Sequence, residues 1–252
     1  MTDIILCGAL GKMGRVVSEI VNERDDCRIV AGVDLLKSDV GFPIFSAPAL
    51  IDVDADVIID FSHPSALSGV LEFAVAKNMP VVLATTGYEE SQISLIKKAS
   101  ERIPVFFTAN MSLGVNLLCE LAKTATKILS SSFDIEIVEM HHNKKIDAPS
   151  GTALMLADEI SSAMENDPEY VYARHDKREK RTKNEIGIHA VRGGTIVGEH
   201  EIIFAGTDEV IKLSHSAGSK RIFASGAVNA AIWINAKTEC GLYSMKDVVS
   251  LN

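Results

Sequence analysis

The chain has no run of about eighteen consecutive apolar residues, the least that spans a bilayer. No membrane partner is therefore expected. It also lacks a basic start ahead of an apolar core. Met1-Thr2-Asp3 leads straight into an apolar strand, which argues against a secretory leader and for a cytoplasmic protein. Basic charge is in deficit: 25 Lys and Arg stand against 34 Asp and Glu, a net charge of −9. Nucleic-acid binding needs a basic surface, so that class of partner is disfavoured. Cysteine is sparse. Cys7, Cys27, Cys119 and Cys240 show no CxxC spacing and read as buried free thiols, not disulfides or zinc ligands. No HxxxH pair is present, so no metal is expected. Internal repeats and low-complexity tracts are missing too.

What is present is an ordinary globular composition. The 252 residues suit one large domain or two modest ones, and 47% hydrophobic residues suffice for a core. Residues 4–7 are a short apolar run, followed at once by Gly8-Ala9-Leu10-Gly11-Lys12-Met13-Gly14. Met13, Val16, Val17, Ile20 and Val21 then mark one helix face. Arg28 to Asp34 reads as a strand ending in an acid, twenty residues after Gly14. Strand, glycine turn, helix, strand and acid form a dinucleotide-binding pattern. In the GxxGxxG form seen here, Gly8 permits the tight turn and Gly11 lets backbone approach a pyrophosphate. Gly14 allows close helix–strand packing, and Asp34 faces a ribose 2′-hydroxyl. Leu35 and Leu36 stand where an arginine would hold a 2′-phosphate. NADH is favoured over NADPH on that ground, with Lys37 leaving room for both.

The alternation continues with strands at 55–61, 80–84 and 104–108 and helices from Ser62 to about Ala76 and from Glu90 to Ser100. This predicts a doubly wound parallel sheet, with ligands at the carboxyl ends of its strands. Those ends include Ala84-Thr85-Thr86-Gly87 and Ala109-Asn110-Met111-Ser112. After residue 112 the period changes. A helix is expected over Asn116–Leu129 and a strand over Phe133–Met140. Residues 166–184 read as a charged, solvated, flexible loop. Strands follow at 187–192, 195–204 and 209–215, the last two joined by the turn Ala205-Gly206-Thr207-Asp208. Consecutive strands without helices predict an α+β domain on a mostly antiparallel open sheet. Such a face is suited to forming an oligomer. An apolar helix at 226–236 is expected to return to the first domain. The domain boundaries are 1–112 completed by 220–252, and 113–219.

Glu139 to Ala153 concentrates the chemistry. Two imidazoles (His141, His142) and two ammonium groups (Lys144, Lys145) precede a helix predicted to start at Ser150, a plausible N-cap. The backbone N–H groups at Gly151 and Thr152, backed by the helix dipole, suit a carboxylate. Either histidine could move a proton near neutral pH. In an ideal strand the two point to opposite faces, so only one faces a ligand unless the strand ends first.

Taken together, these stretches resemble the 4-hydroxy-tetrahydrodipicolinate reductase (dihydrodipicolinate reductase) family of the diaminopimelate route to lysine. The resemblance runs nearly end to end. It rests on Gly8–Gly14, Asp60-Phe61-Ser62, Thr85-Thr86-Gly87, Asn110-Met111-Ser112 with Gly114-Val115-Asn116, and Arg192 to His200. Most specific is Glu139-x-His141-His142-x-x-Lys145-x-Asp147-Ala148-Pro149-Ser150-Gly151-Thr152-Ala153. The resemblance implies a Rossmann domain completed by the C-terminal segment, an α+β substrate domain and a homotetramer. It implies reduction of a cyclic unsaturated dicarboxylate by NADH or NADPH. It makes His141 the acid–base residue and Lys145 a proton donor, with substrate carboxylates near His142, Lys145, Ser150, Gly151 and Thr152. It lays the cofactor along Gly8, Ala9, Leu10, Gly11, Lys12, Met13, Asp34, Ala84, Thr85, Thr86, Ala109, Asn110, Met111 and Ser112. Ala84 replaces the usual glycine, Met111 the usual Phe or Tyr, and Lys220 the usual Arg. Two other functions fit parts of the pattern: a nicotinamide-responsive sensor without chemistry, and a metal-dependent hydrolase using His141, His142 and Asp147.

Overall fold

A computed structural model describes residues 1–172, 174–175 and 177–249. Residues 173 and 176 of the charged segment, and 250–252 of the C-terminal completion, lie outside the described residues. In chain order the elements begin with β1 (Thr2–Cys7), α1 (Lys12–Asn22), β2 (Cys27–Val33), β3 (Ile44–Phe45), β4 (Val57–Asp60) and α2 (Leu67–Lys77). Next come β5 (Val81–Leu83), α3 (Glu90–Ser100), β6 (Pro104–Phe107), α4 (Leu113–Leu129), β7 (Asp134–His141) and α5 (Gly151–Ser161). The chain ends with β8 (Glu169–Val171), β9 (Glu185–Arg192), β10 (Glu199–Ala205), β11 (Val210–Ser216), α6 (Arg221–Asn235), β12 (Gly241–Tyr243) and α7 (Met245–Val249). The described residues fall into two compact units, Met1–Ser112 with Arg221–Val248, and Leu113–Lys220 with Val249.

Unit one is a seven-stranded parallel sheet in the order β12-β6-β5-β4-β1-β2-β3. Its central strands are continuous apolar runs because helices cover both faces. One face packs α1 and α6 through Val17, Ile20, Ala227 and Ala231. The other packs α2 and α3 through Leu67, Val70, Ala74 and Ile96. β1 lies between β2 and β4, so the chain leaves β1 to opposite sides and opens a crevice at its carboxyl end. Gly226 lets α6 sit against the chain at Met111, since an added Cβ would lie 1.7 Å from the Met111 carbonyl oxygen.

Unit two carries a five-stranded sheet, β11-β10-β7-β9-β8. The sheet is mixed, not mostly antiparallel as its run of strands predicts. β10 runs antiparallel to β7 and β11, while β9 runs parallel to β7 and to β8. The parallel β7–β9 pair follows from the crossover through α5, which a parallel connection requires. The alternation of β7 is clean. Ile135, Ile137, Glu139 and His141 are buried, and Asp134, Glu136, Val138 and Met140 face the other way. The buried apolar side packs α4 and α5 through Leu118, Ala122, Ala153, Leu156 and Ile160.

The segment at 166–184 is largely exposed, as expected of a solvated loop, but it contains β8 and several of its cations pair with carboxylates. Arg181 bonds Asp134, Glu136 and three backbone carbonyls. Arg174 pairs with Glu185, and Lys177 with Glu169. Cys7, Cys27 and Cys119 are buried free thiols, but Cys240 is exposed because it sits in the turn entering β12. Among the described residues no helix is long and apolar enough to cross a membrane.

Candidate active site

A group of interacting titratable side chains lies in unit two, at the carboxyl end of β7. β7 ends at His141, so His142 stands beyond the strand and is not forced to the opposite face. His141 is buried on the helix-covered side, and His142 is half-buried with its Nδ1 enclosed and unbonded. Ser150 caps α5 as expected, its Oγ accepting the Ala153 N–H at 3.2 Å. Such a cap contributes about 1 kcal/mol. Gly151 and Thr152 occupy the first turn, at the positive end of the helix dipole. Lys145 is not left against Lys144. Its Nζ lies 2.9 Å from Asp147, and it holds the Asp147 carboxyl below the usual range.

One group that the sequence reading left without a role organises the others. Glu139 is fully buried and uses both carboxylate oxygens. Oε2 accepts from His141 Nδ1 at 2.6 Å and Arg192 Nη1 at 2.7 Å. Oε1 accepts from the Ser150 backbone N–H at 2.9 Å and Arg192 Nη2 at 2.7 Å. Burial pushes this carboxyl up, but Arg192, His141 and the Ser150 N–H outweigh it, and its pKa ends below normal. Arg192 reaches on to the Asp147 carbonyl at 2.6 Å and so ties the loop to β9. His200, on β10 opposite Glu139, is buried. Its Nε2 lies 3.1 Å from Ser150 Oγ, and its ring stands edge-on to His141 with centroids 5.3 Å apart. Burial, and then repulsion from His141, pushes the His200 imidazole down to about 4, so it is neutral near pH 7. Glu139 was legible as a neighbour of His141, because i and i+2 of a strand share a face. The partners Arg192 and His200 come from strands that only tertiary pairing brings alongside. Among the described residues no three His, Cys, Asp or Glu side chains converge as metal ligands would.

The second candidate site is the glycine turn of unit one. Gly8 has φ +75°, and a Cβ there would lie 2.6 Å from the Phe61 carbonyl oxygen. Gly14 abuts the turn itself more than a strand: its Cβ would fall 2.2 Å from Gly8 O and 2.6 Å from Ala9 O. Gly11 is exposed at the N-cap of α1 with no side-chain capping bond. The first turn of α1 is thus available to an acceptor from outside, as a pyrophosphate is. Asp34, just past β2, fixes the turn by accepting from Leu10 N–H at 2.9 Å and Leu36 N–H at 3.2 Å. These residues fit a nicotinamide dinucleotide.

The other expected cofactor positions divide. Lys12, Thr86 and Ala109 are exposed, Met13, Ala84 and Asn110 are half-buried, and Ala9 and Ser112 are buried. Thr85 is buried with its hydroxyl 3.1 Å from Asp60 Oδ2, and Met111 is packed in the core, so both side chains point inward. Asp60 went unremarked in the sequence as a site-shaping group. It is fully buried and also accepts from Ser62 and Tyr88, joining the loops after β4 and β5.

Comparison with known proteins covers both units. Residues 2–111 match the family model described as "Dihydrodipicolinate reductase, N-terminus", and residues 114–249 match "Dihydrodipicolinate reductase, C-terminus". The chain is 50% identical over 249 residues to the 4-hydroxy-tetrahydrodipicolinate reductase of Caldanaerobacter subterraneus subsp. tengcongensis, covering 99% of this chain and 98% of that one. It is 48% identical over 250 residues to the enzyme of the same name from Clostridium novyi, again with 99% and 98% covered. Among solved structures, the dipicolinate-bound dihydrodipicolinate reductase from Paenisporosarcina sp. TG-14 superposes with a TM-score of 0.82 over 99% of both chains, at 24% identity. A probable dehydrogenase from Thermotoga maritima shares the fold more distantly, with a TM-score of 0.59 and 14% identity over 97% of this chain and 92% of that one.

Proposed function

The chain belongs to the dihydrodipicolinate reductase family, and from that premise we propose how its residues divide the work. The reaction is the NAD(P)H-dependent reduction of a cyclic unsaturated dicarboxylate, giving tetrahydrodipicolinate in the diaminopimelate route to lysine. Unit one holds the cofactor on the glycine turn Gly8–Met13, on Asp34, on Ala84–Thr86 and on Ala109–Ser112. When bound, it supplies the hydride. Unit two holds the dicarboxylate. His142, Lys145, Ser150, Gly151 and Thr152 receive its carboxylates, and His141 gives a proton to the carbon beside the one that receives hydride. Lys145 serves as a second donor on the same loop. The observation that carries this reading is His141 held by a buried carboxylate, next to a helix N-terminus and a lysine. Orientation, charge and proton supply are what a reductase adds to its cofactor.

Asp34 favours NADH. Its carboxylate would repel a 2′-phosphate, and the exposed Leu35 and Leu36 offer no countercharge. A steady-state comparison with freshly generated substrate is expected to give the higher kcat/KM with NADH. A higher value with NADPH contradicts the role given to Asp34. Oxidation of neither cofactor overturns the whole reading.

The protein is further proposed to be a cytoplasmic homotetramer, assembled through the sheet face that α4 and α5 leave uncovered. Val138, Met140, Ile203 and Val191 lie on that face, with Val191 44% exposed. Sedimentation is expected to give four times the 27.2 kDa protomer mass, and a monomer would refute the assembly.

A further inference from the structure

We infer that Glu139, clamped by Arg192, is a positioning residue that fixes His141 with its Nδ1–H inward and leaves Nε2 as the nitrogen that exchanges the proton. This rests on the assignment of His141 as proton donor and adds which nitrogen acts and what holds it.

An ionised carboxylate only accepts, so the 2.6 Å contact between Glu139 Oε2 and His141 Nδ1 requires a proton on Nδ1. The carboxylate itself cannot swing away. Two arginine N–H groups and the Ser150 N–H hold it, in a site fully removed from solvent. With Nδ1 committed, Nε2 is the remaining nitrogen. The chain keeps space beside it: a Cβ at Gly198 would lie 3.0 Å from Nε2 and 3.4 Å from Cδ2. Any side chain at position 198 would crowd that edge of the ring.

Charge is arranged around the same ring. Glu139 faces it from β7, Arg192 from β9 and neutral His200 from β10, with His215 behind His200 on β11. Lys145 and Asp147 stand on the loop as a pair. Glu139 places a negative charge against the Nδ1 edge of the ring, and Arg192 shares that carboxylate from the other side. In the reduction the Nε2–H bond breaks and its proton forms a C–H bond next to the carbon that receives hydride. The imidazole is left neutral, with Nδ1–H still on Glu139, and solvent restores the Nε2 proton. The same carboxylate holds the Ser150 N–H, so proton donor and helix N-cap are fixed by one group.

The test uses Glu139→Gln, which keeps an oxygen able to accept from Nδ1 and removes the charge. A general acid acts while protonated, so kcat falls on the basic side of its profile. Loss of the Glu139 charge is expected to move that basic limb to lower pH by about one unit, the low end of the effect of a neighbouring charge. At pH above the limb this is about a tenfold loss of kcat, with NADH affinity unchanged. An unmoved limb with a uniformly lower kcat marks a merely structural role and overturns the proposal. Nitrogen-15 NMR of the wild-type imidazole, recorded above the limb, covers the case where the variant fails to fold. The Nδ1–H tautomer is expected for His141, and the Nε2–H tautomer overturns the proposal. Full turnover in His141→Gln would remove the underlying assignment instead, whichever tautomer is observed.

Discussion

Replacing His141 by Gln is expected to lower kcat about 100-fold, the lower range for losing a general acid, while NADH binds as tightly as before. The size follows from what the substitution leaves in place. Glutamine fills much of the imidazole's volume, and its amide can donate to Glu139, so the carboxylate keeps its partners. Ser150 keeps its cap and its contact with His200. The helix N-terminus and Lys145 therefore still receive the dicarboxylate, and the Michaelis constant should change little. What disappears is a group that can hold a transferable proton near neutral pH. Water or Lys145 then supplies the proton, which explains a reduced rate in place of complete loss. The residues proposed for the cofactor belong to unit one and are untouched. Steady-state kinetics with a parallel NADH titration checks both halves: wild-type turnover sinks the proton role, and lost NADH affinity shows damage beyond it.

The second large effect is expected at Gly14. A single methyl there would sit 2.2 Å from the Gly8 carbonyl oxygen and 2.6 Å from that of Ala9. Both obstacles are backbone, and neither can turn aside as a side chain would. Gly8 is itself held, its N–H bonding Val33 O at 2.8 Å, and Leu10 N–H is held by Asp34. Relief requires moving α1 away from the turn or opening the turn, and either breaks the alignment of the helix N-terminus with its anion. Gly14→Ala is expected to destabilise unit one by about 3 kcal/mol, the scale of severe overpacking. That corresponds to a fall of roughly 6–12 °C in Tm for a protein of this size. Nicotinamide binding should weaken at least tenfold even well below the new Tm. Calorimetry and a binding titration measure the two effects, and unchanged values for both would remove Gly14 from the cradle.

The sequence made the local features of this chain readable and left the long-range pairings hidden. Ser150 was identifiable as an N-cap because a polar, short side chain stands immediately before an apolar helical period. The strand containing Glu139 and His141 showed itself through alternation, and with it their shared face. Gly8, Gly11, Gly14 and Asp34 were readable from spacing alone, since the physics of that turn is local. What spacing cannot show is which distant strand lies alongside. Arg192 is 53 residues from Glu139, and His200 is 50 residues from Ser150. The mixed order of the second sheet was hidden for the same reason, because parallel pairing of β7 and β9 depends on where α5 carries the chain. The charged stretch around Arg181 looked solvated because its partners, Asp134 and Glu136, lie on β7. Thr85 and Met111 lie in the loops after β5 and β6, but their side chains turn inward, and only packing against Asp60 and α6 decides that.

The His141–Thr152 stretch is proposed to hold the dicarboxylate. A crystal structure of the chain with a stable planar cyclic dicarboxylate tests it most directly. The expected result is one carboxylate on the Gly151 and Thr152 N–H groups, with His142 and Lys145 on the ligand and His141 Nε2 facing the ring. A ligand bound elsewhere, with that helix start left to solvent, would contradict the account.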